Sequence, residues 1–185
     1  MRFKDMLAKL FLNEDTYCPQ FEWDDNPYAL EHYVSQPPTE ETIRQTEQLW
    51  GYKLPDAYIE FMKKHNGGKP VKNCCPCKNE TSWAEDHIAI EGFFSIGCDK
   101  DYSLCGESGA HYLVKEWEYP DIGIAICDCP SGGHDMVFLD YSACGKQGIP
   151  RVSHVDLELN SQVTVLAKDF QSFIKMLCSE DQFDD

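Results

Sequence analysis

Positive charge is scarce in this sequence: 16 Lys and Arg residues stand against 32 Asp and Glu residues, which gives a formal net charge of −16 at pH 7. Nucleic acids and anionic membrane surfaces are bound largely through Lys and Arg, so neither is an expected partner. A basic protein would instead be attracted to such a chain, because opposite charges raise the encounter rate. The same charge also improves solubility, and charge alone does not separate these two explanations.

Long apolar runs are also missing. No stretch approaches the ~18 apolar residues that a transmembrane helix requires. Asp5 and Lys9 interrupt the apolar N-terminal segment, which argues against a secretion signal. The apolar residues of this segment recur at helical spacing, so an amphipathic helix is expected. These residues are Phe3, Met6, Leu7, Leu10 and Phe11.

The common catalytic motifs are absent as well. The sequence contains no Gly-rich phosphate loop, no His-Glu-x-x-His and no Gly-x-Ser-x-Gly. His134 and Asp135, which follow two glycines, invite an acid–base interpretation, but no nucleophile or metal motif stands beside them. We therefore expect a hairpin turn in which Asp135 bonds to turn amides. No catalytic residue, no cofactor and no enzymatic activity are expected.

Cysteine, by contrast, is abundant, with ten residues. A secreted disulfide scaffold would be shorter and would carry a secretion signal, so reduced thiols and a cytoplasmic location are expected. Cys74 and Cys77 have the spacing of a zinc knuckle, and Cys127 and Cys129 follow later in the chain. Zinc prefers four ligands in a tetrahedron, but the second pair is Cys-x-Cys rather than Cys-x-x-Cys. The expectation is that no metal is bound, with zinc at these four residues as an alternative.

Helix and strand patterns predict an α+β fold. Capping residues and apolar periodicity predict helices over residues 39–51, 56–66 and 167–178, with shorter helices at 28–34 and 111–118. The predicted strands are 87–96, 122–127, 136–141, 151–157 and 162–166. Helices followed by hairpin-connected strands and a final helix are typical of α+β rather than of alternating α/β proteins. Residues 69–83 are predicted to form a polar loop.

Several short motifs carry a resemblance to a known family. Leu54-Pro55-Asp56-Ala57-Tyr58 resembles a Leu-Pro-x-x-Tyr helix start, and Asn66-Gly67-Gly68 resembles the stop that follows it. Residues 123–135 resemble paired central strands with a Gly-rich turn, and residues 138–152 resemble the next strand and its exit. With the final helix, these motifs cover residues 39–178. They resemble the SUKH superfamily, which includes the fungal Smi/Knr cell-wall regulators and many bacterial toxin-immunity proteins.

This resemblance implies a twisted, mainly antiparallel sheet with helices packed against one side, and no enzymatic activity. It implies one domain over residues 1–185, in which 39–178 match the family and 1–38 form a helical or irregular extension. The function implied is binding to another protein, as an immunity protein that neutralises a basic toxin domain, often a nuclease. The alternative is a regulatory scaffold of the Smi/Knr kind in signalling or cell-wall synthesis. A monomer or a weak dimer is expected.

One segment mixes aromatic side chains with carboxylates, as partner-binding surfaces do. It runs from Trp117 to Asp121, and the competing interpretation is a buried Trp at a helix end. If a partner surface exists, six residues are predicted to form it. They are Glu116, Trp117, Glu118, Asp121, Asp128 and Asp135. The acidic tail, residues 180–185, is interpreted as a solvated end.

Overall fold

The computed structural model describes residues 21–183. The predicted N-terminal amphipathic helix lies outside this part of the chain. The described residues contain five α-helices. These are α1 (Pro27–His32), α2 (Glu40–Trp50), α3 (Asp56–Lys64), α4 (Ala110–Glu116) and α5 (Phe170–Met176), and a 3-10 helix spans Glu180–Gln182. None of the helices within residues 21–183 is long and apolar enough to cross a membrane.

The strands form two antiparallel sheets, of two and five strands. They are β1 (Cys74–Pro76), β2 (His87–Ala89), β3 (Gly92–Phe93), β4 (Gly123–Asp128), β5 (Asp135–Asp140), β6 (Arg151–Asp156) and β7 (Gln162–Ala167). β1 pairs with β2, and the larger sheet has the order β3-β4-β5-β6-β7, so that strands consecutive in the chain are neighbours. The predicted α+β class with a mainly antiparallel sheet is confirmed.

The predicted start of α2 at Thr39 is confirmed by its cap. Thr39 caps α2 by accepting a hydrogen bond from the Thr42 N–H, and Gly51 ends the helix with a left-handed φ of +74°. Asp169 caps α5 by accepting a hydrogen bond from the Ser172 N–H. The final helix starts three residues later than predicted, because Ala167 still pairs with β6.

α3 ends at Lys64 rather than at Asn66. The Asn66 amide donates to the Gln36 and Ile96 carbonyls and accepts from the Ile96 N–H, so this side chain ties two distant segments together. Asn66 itself does not adopt a left-handed conformation. Gly67 does, with a φ of +85°.

The prediction for residues 69–96 is wrong in two places. The predicted loop contains β1, and the predicted strand at 87–96 is split between β2 and β3, which belong to different sheets. Gly92 lies where the chain changes sheets. A Cβ atom at Gly92 would lie 2.2 Å from the Tyr33 ring, so only glycine permits this close approach.

The core lies where α3 and α5 pack on each other, with α5 also contacting β6 and β7. Tyr58 and Met62 of α3 and Phe173 of α5 are fully buried there. Burial of each such side chain contributes about 1.5–3 kcal/mol to stability. Every residue of β4 and β5 is also buried, so the turn between these strands extends from a rigid base.

Candidate functional site

The candidate site surrounds the turn 129–134, which joins β4 to β5. Gly132 and Gly133 have φ angles of +70° and +106°, a region that favours glycine, and this explains the Gly-Gly pair. The Tyr119 hydroxyl donates a 2.7 Å hydrogen bond to the Gly133 carbonyl and fixes the turn from one side. The turn is thus held in one conformation by its own residues and by the segment after α4.

Two half-exposed tryptophans flank this turn. Trp117 is 41% exposed, and its ring lies 4.9 Å from the ring of His134. Trp83 is 43% exposed, and it lines a cavity of about 450 Å³ beside His134 and Glu158. His134 therefore lies between Trp117 and the cavity that Trp83 lines. We call the following residues the two-tryptophan surface: Trp83, Trp117, Pro130, Ser131, His134 and Glu158.

Carboxylates border the two-tryptophan surface. Glu116 and Glu118 are exposed on either side of Trp117. Glu85 and Asp86, also exposed, follow Trp83 closely in the chain. Glu158 Oε1 lies 2.5 Å from His134 Nδ1. The two indoles are therefore surrounded by negative charge, which is the arrangement of an apolar anchor inside a charged rim.

The six predicted partner-binding residues are not all brought together. Glu116, Trp117 and Glu118 lie exposed beside the turn, as the prediction requires, although partner binding itself stays a prediction. Asp121 is exposed but precedes β4, so it lies at the other end of that strand. At about 3.3 Å per residue, this places it roughly 20 Å from the turn. There it accepts a 2.8 Å hydrogen bond from the Tyr52 hydroxyl.

Asp128 is buried, so its assignment to an exposed partner surface is wrong. Its Oδ2 accepts a 2.8 Å hydrogen bond from the Tyr33 hydroxyl. Burial raises the pKa of Asp128 to about 7, because an ionised carboxylate is poorly stabilised away from water. This carboxylate is bonded inside the fold and does not belong to an exposed partner surface.

Asp135 is also buried, and the predictions for its surface role and for its bonding to turn amides are wrong. Its Oδ2 is hydrogen-bonded to His154 Nε2 at 2.6 Å and accepts a 3.3 Å hydrogen bond from Trp83 Nε1. Burial alone would raise the pKa of Asp135. The hydrogen bonds from His154, Ser131 and Trp83 outweigh it and hold the pKa below its usual value. The exposed Trp83 is thus anchored to the interior by its indole N–H.

The four cysteines of the predicted zinc alternative do not come together. Cys74 lies in a small cluster with Ala89 and Cys178, whereas Cys127 lies in the main core. The alternative of a zinc site at these four cysteines is therefore wrong. In the part of the chain that the structure describes, one group of three metal-ligating residues has its ligand atoms within 4.8 Å of one another. It consists of Cys129, Asp135 and His154.

Cys129, Asp135 and His154 do not form a catalytic triad. Burial raises the pKa of Cys129 well above its usual value, so the thiol is protonated and a poor nucleophile. His154 Nε2 is bonded to the carboxylate, and His154 and Asp135 are both 0% exposed. A substrate therefore has no access to either group.

Sequence reasoning missed Trp83 and His154. Trp83 stands in a polar segment, between Ser82 and Ala84 and close to two acidic residues, and this is the signal that could have indicated a surface aromatic. His154 alternates with apolar residues in β6, and nothing in that pattern distinguishes it. Its role depends on the register of β5 against β6, in which Val137 faces His154.

Comparison with known proteins identifies a family. A family model described as SUKH_6, SMI1-KNR4 cell-wall, matches residues 40–174. No curated protein matches the chain. The matched span holds all seven strands, the turn and both tryptophans of the site. Such domains are immunity or regulatory proteins, generally without enzymatic activity, and they bind protein partners. The chain belongs to the SMI1-KNR4 family of the SUKH superfamily.

Proposed function

We propose that this protein is an immunity protein that binds and neutralises a basic toxin domain through the two-tryptophan surface. The observation that carries the proposal is the presence of two half-exposed indoles on either side of one rigid turn. Tryptophan is among the residues that contribute most to binding energy at protein interfaces. A rigid base also lowers the conformational entropy that is lost on binding.

The charge of the chain supports a basic partner. The net charge of −16 attracts a positively charged domain over a distance, and the carboxylates around Trp117 concentrate this charge at the two-tryptophan surface. A toxin nuclease has a basic cleft for nucleic acid. An acidic surface with aromatic anchors can occupy that cleft in place of the substrate. Inhibition of this kind requires no chemistry from the immunity protein.

A cytoplasmic location is part of the proposal. All nine cysteines within residues 21–183 are free thiols, and five of them are buried. Free thiols at this density are typical of a reducing compartment. The folded immunity protein would bind the toxin in the cytoplasm.

A regulatory scaffold is the second candidate function. The observation that favours it is the description of the matched family as a cell-wall family. A scaffold would use the same surface to hold several host proteins rather than one toxin. The number and the charge of the proteins that bind separate the two functions.

Affinity capture from the native host, with matched variants, tests the proposal. The bait proteins are the wild type, Trp83→Ala, Trp117→Ala and the control Ile149→Ala. Ile149 is 78% exposed and lies between β5 and β6, at the opposite end of β5 from the turn. We expect the wild type and the control to retain one basic protein in stoichiometric amount, and both Trp variants to lose it.

The captured protein is then assayed for toxicity. Inhibition by an equimolar amount of the wild type, with weaker inhibition by Trp117→Ala, supports the immunity function. Capture of several host proteins that are not toxic points to the scaffold. A partner that both Trp variants hold as tightly as the wild type would contradict the assignment of the surface.

A further inference from the structure

Cys129, Asp135 and His154 converge beneath the β4–β5 turn, and we call these three residues the buried cluster. Val137 of β5 pairs with Cys127 on one side and with His154 on the other. Side chains two residues apart on a strand point to the same face, so Cys129 and Asp135 follow Cys127 and Val137 onto the face of His154. The strand register therefore places a thiol, a carboxylate and an imidazole together. Their ligand atoms lie within 4.8 Å of one another.

Two atoms of the buried cluster have no hydrogen-bond partner. Within the described residues, three buried side-chain polar atoms are unpaired, and two of them are Asp135 Oδ1 and His154 Nδ1. Both residues are 0% exposed. A buried polar atom without a partner costs about 1–3 kcal/mol, and native proteins contain few. The unpaired Asp135 Oδ1 therefore has a lone pair available to a ligand within the buried cluster.

We propose that the buried cluster binds one zinc ion. A thiolate, an imidazole and a carboxylate are all ligands that zinc accepts, and soft sulfur disfavours magnesium and calcium. The charges also balance, since a thiolate and a carboxylate together neutralise a divalent cation. A neutral assembly is far less costly to bury than a lone carboxylate. The inference does not depend on the proposed partner.

The positions of the atoms require only a small adjustment. Zinc–ligand bonds of about 2.0–2.3 Å place tetrahedral ligands roughly 3.3–3.8 Å apart. Asp135 Oδ1, the unpaired oxygen, would bind the metal together with His154 Nε2, which gives up its hydrogen bond to Asp135 Oδ2 while the imidazole proton moves to Nδ1. Cys129 loses its proton on binding, as coordinating thiols do. Three protein ligands leave the fourth position to water.

The structure also contains a residue that holds one of the ligands in place and a path by which an ion can enter. Trp83 Nε1 donates to Asp135 Oδ2 and holds the carboxylate in place, as residues behind metal ligands commonly do. Cys129 lines a cavity of about 350 Å³ together with Gly132, Gly133 and Met136. This cavity leads from the turn to the thiol, so an ion can reach the buried cluster. Bound zinc would join the end of β4, β5 and β6 beneath the two-tryptophan surface.

Cobalt substitution tests this inference, because Co²⁺ replaces Zn²⁺ and a cobalt–thiolate bond absorbs in the near-ultraviolet. The background variant has the two exposed cysteines, Cys98 and Cys144, and the half-buried Cys77 changed to Ser, together with Cys18, which lies outside the described residues. We expect Co²⁺ to produce thiolate and tetrahedral bands at about one equivalent, and Zn²⁺ to abolish them by displacement. Cys129→Ser should weaken binding by at least about tenfold. The matched control, Cys127→Ser, should retain the bands.

Absence of the bands, or bands that persist unchanged in Cys129→Ser, would mean that the buried cluster is a hydrogen-bonded structural unit without a metal. Circular dichroism establishes whether each variant is folded. If Cys129→Ser does not fold, X-ray absorption of the zinc-loaded background variant decides instead. One sulfur and two or three nitrogen or oxygen neighbours support the inference. No sulfur, or two or more, overturns it.

Discussion

The two ends of β5 each bury a carboxylate, and these carboxylates differ in how completely they are bonded. Asp140 and Asp135 are both 0% exposed. Both oxygens of Asp140 are satisfied: Oδ1 accepts from the Ser142 N–H and hydroxyl, and Oδ2 accepts from Arg151 and Ser153. At Asp135, by contrast, Oδ2 is bonded and Oδ1 has no partner.

Asp128 adds to this contrast, because it lies at the same end of the hairpin as Asp135 and its Oδ1 is also unpaired. The fold is able to satisfy a buried carboxylate fully, as Asp140 shows. Incomplete bonding is therefore specific to Asp128 and Asp135, since Asp156, which pairs with Asp135 in the sheet, has both oxygens bonded. The comparison teaches that the end of β5 at Asp140 serves stability, whereas the end at the turn retains bonding capacity and carries the candidate site.

Asp140→Ala should cause the largest loss of stability. The change leaves Arg151 and Ser153 without their carboxylate, and removal of one partner from a buried pair costs about 3–5 kcal/mol. Arg151 is partly exposed and can reach water, so we expect about 3 kcal/mol. Urea denaturation at pH 7 measures the free energy of unfolding. The control, Glu41→Ala, removes an exposed ion pair with Arg44 and should cost less than about 0.5 kcal/mol. A loss below about 1 kcal/mol for Asp140→Ala would contradict the claim that Asp140 stabilises the fold.

Asp128→Asn should change how stability depends on pH. The folded pKa of about 7 is raised above the unfolded value of 3.8, so folding favours the protonated carboxyl group. Its stability contribution is present below pH ~4 and is lost as the pH rises through ~7. The wild type should therefore lose roughly 2–3 kcal/mol between pH 5 and pH 8 from this group.

The Asn variant cannot ionise and should not show this loss, although its amide can still accept the Tyr33 hydrogen bond. Denaturant unfolding of both proteins at pH 5 and pH 8 provides the comparison. Asp121→Asn, an exposed carboxylate, is the control and should follow the wild type. Equal pH dependence in the wild type and Asp128→Asn would show that Asp128 is ionised in the folded state.

Replacement of each tryptophan by Phe should lower the free energy of unfolding by a small amount, and the two losses should differ. Trp83→Phe removes the hydrogen bond to Asp135 and should cost about 1 kcal/mol. Trp117→Phe keeps an aromatic ring on His134 and should cost less than about 0.5 kcal/mol. Thermal unfolding of the two variants side by side measures the difference. Equal losses would indicate that the indole N–H of Trp83 does not stabilise the buried carboxylate.

The sequence predicts the parts of the fold that depend on local chemistry. Thr39 and Gly51 cap α2 in ways that neighbouring residues already indicate. The Gly132-Gly133 turn follows from the need for positive φ angles. The split between β2 and β3 was not predicted, because it depends on the Tyr33 ring, which comes from a distant part of the chain.

The candidate site was predicted only in part, for a similar reason. Glu116, Trp117 and Glu118 are neighbours in sequence, and a pattern of carboxylates around an aromatic residue reveals them. The bond between Asp135 and His154 joins two strands and depends on their register, which no local pattern specifies. Buried and exposed carboxylates also look alike in sequence, which is why Asp128 and Asp135 were assigned to the surface.

Stopped-flow association with the captured basic partner tests the central claim most directly. Two double variants change the net charge equally: Glu116→Lys with Glu118→Lys beside Trp117, and Glu40→Lys with Glu41→Lys on α2. Exposed charges act over a Debye length of about 8 Å at physiological salt, so charge beside the binding surface should dominate. We predict that the wild-type association rate falls by roughly tenfold or more from low to high salt. The variant beside Trp117 should associate more slowly than the α2 variant at low salt, while both remain folded. Equal association rates for the two variants would contradict the two-tryptophan surface as the place where the partner binds.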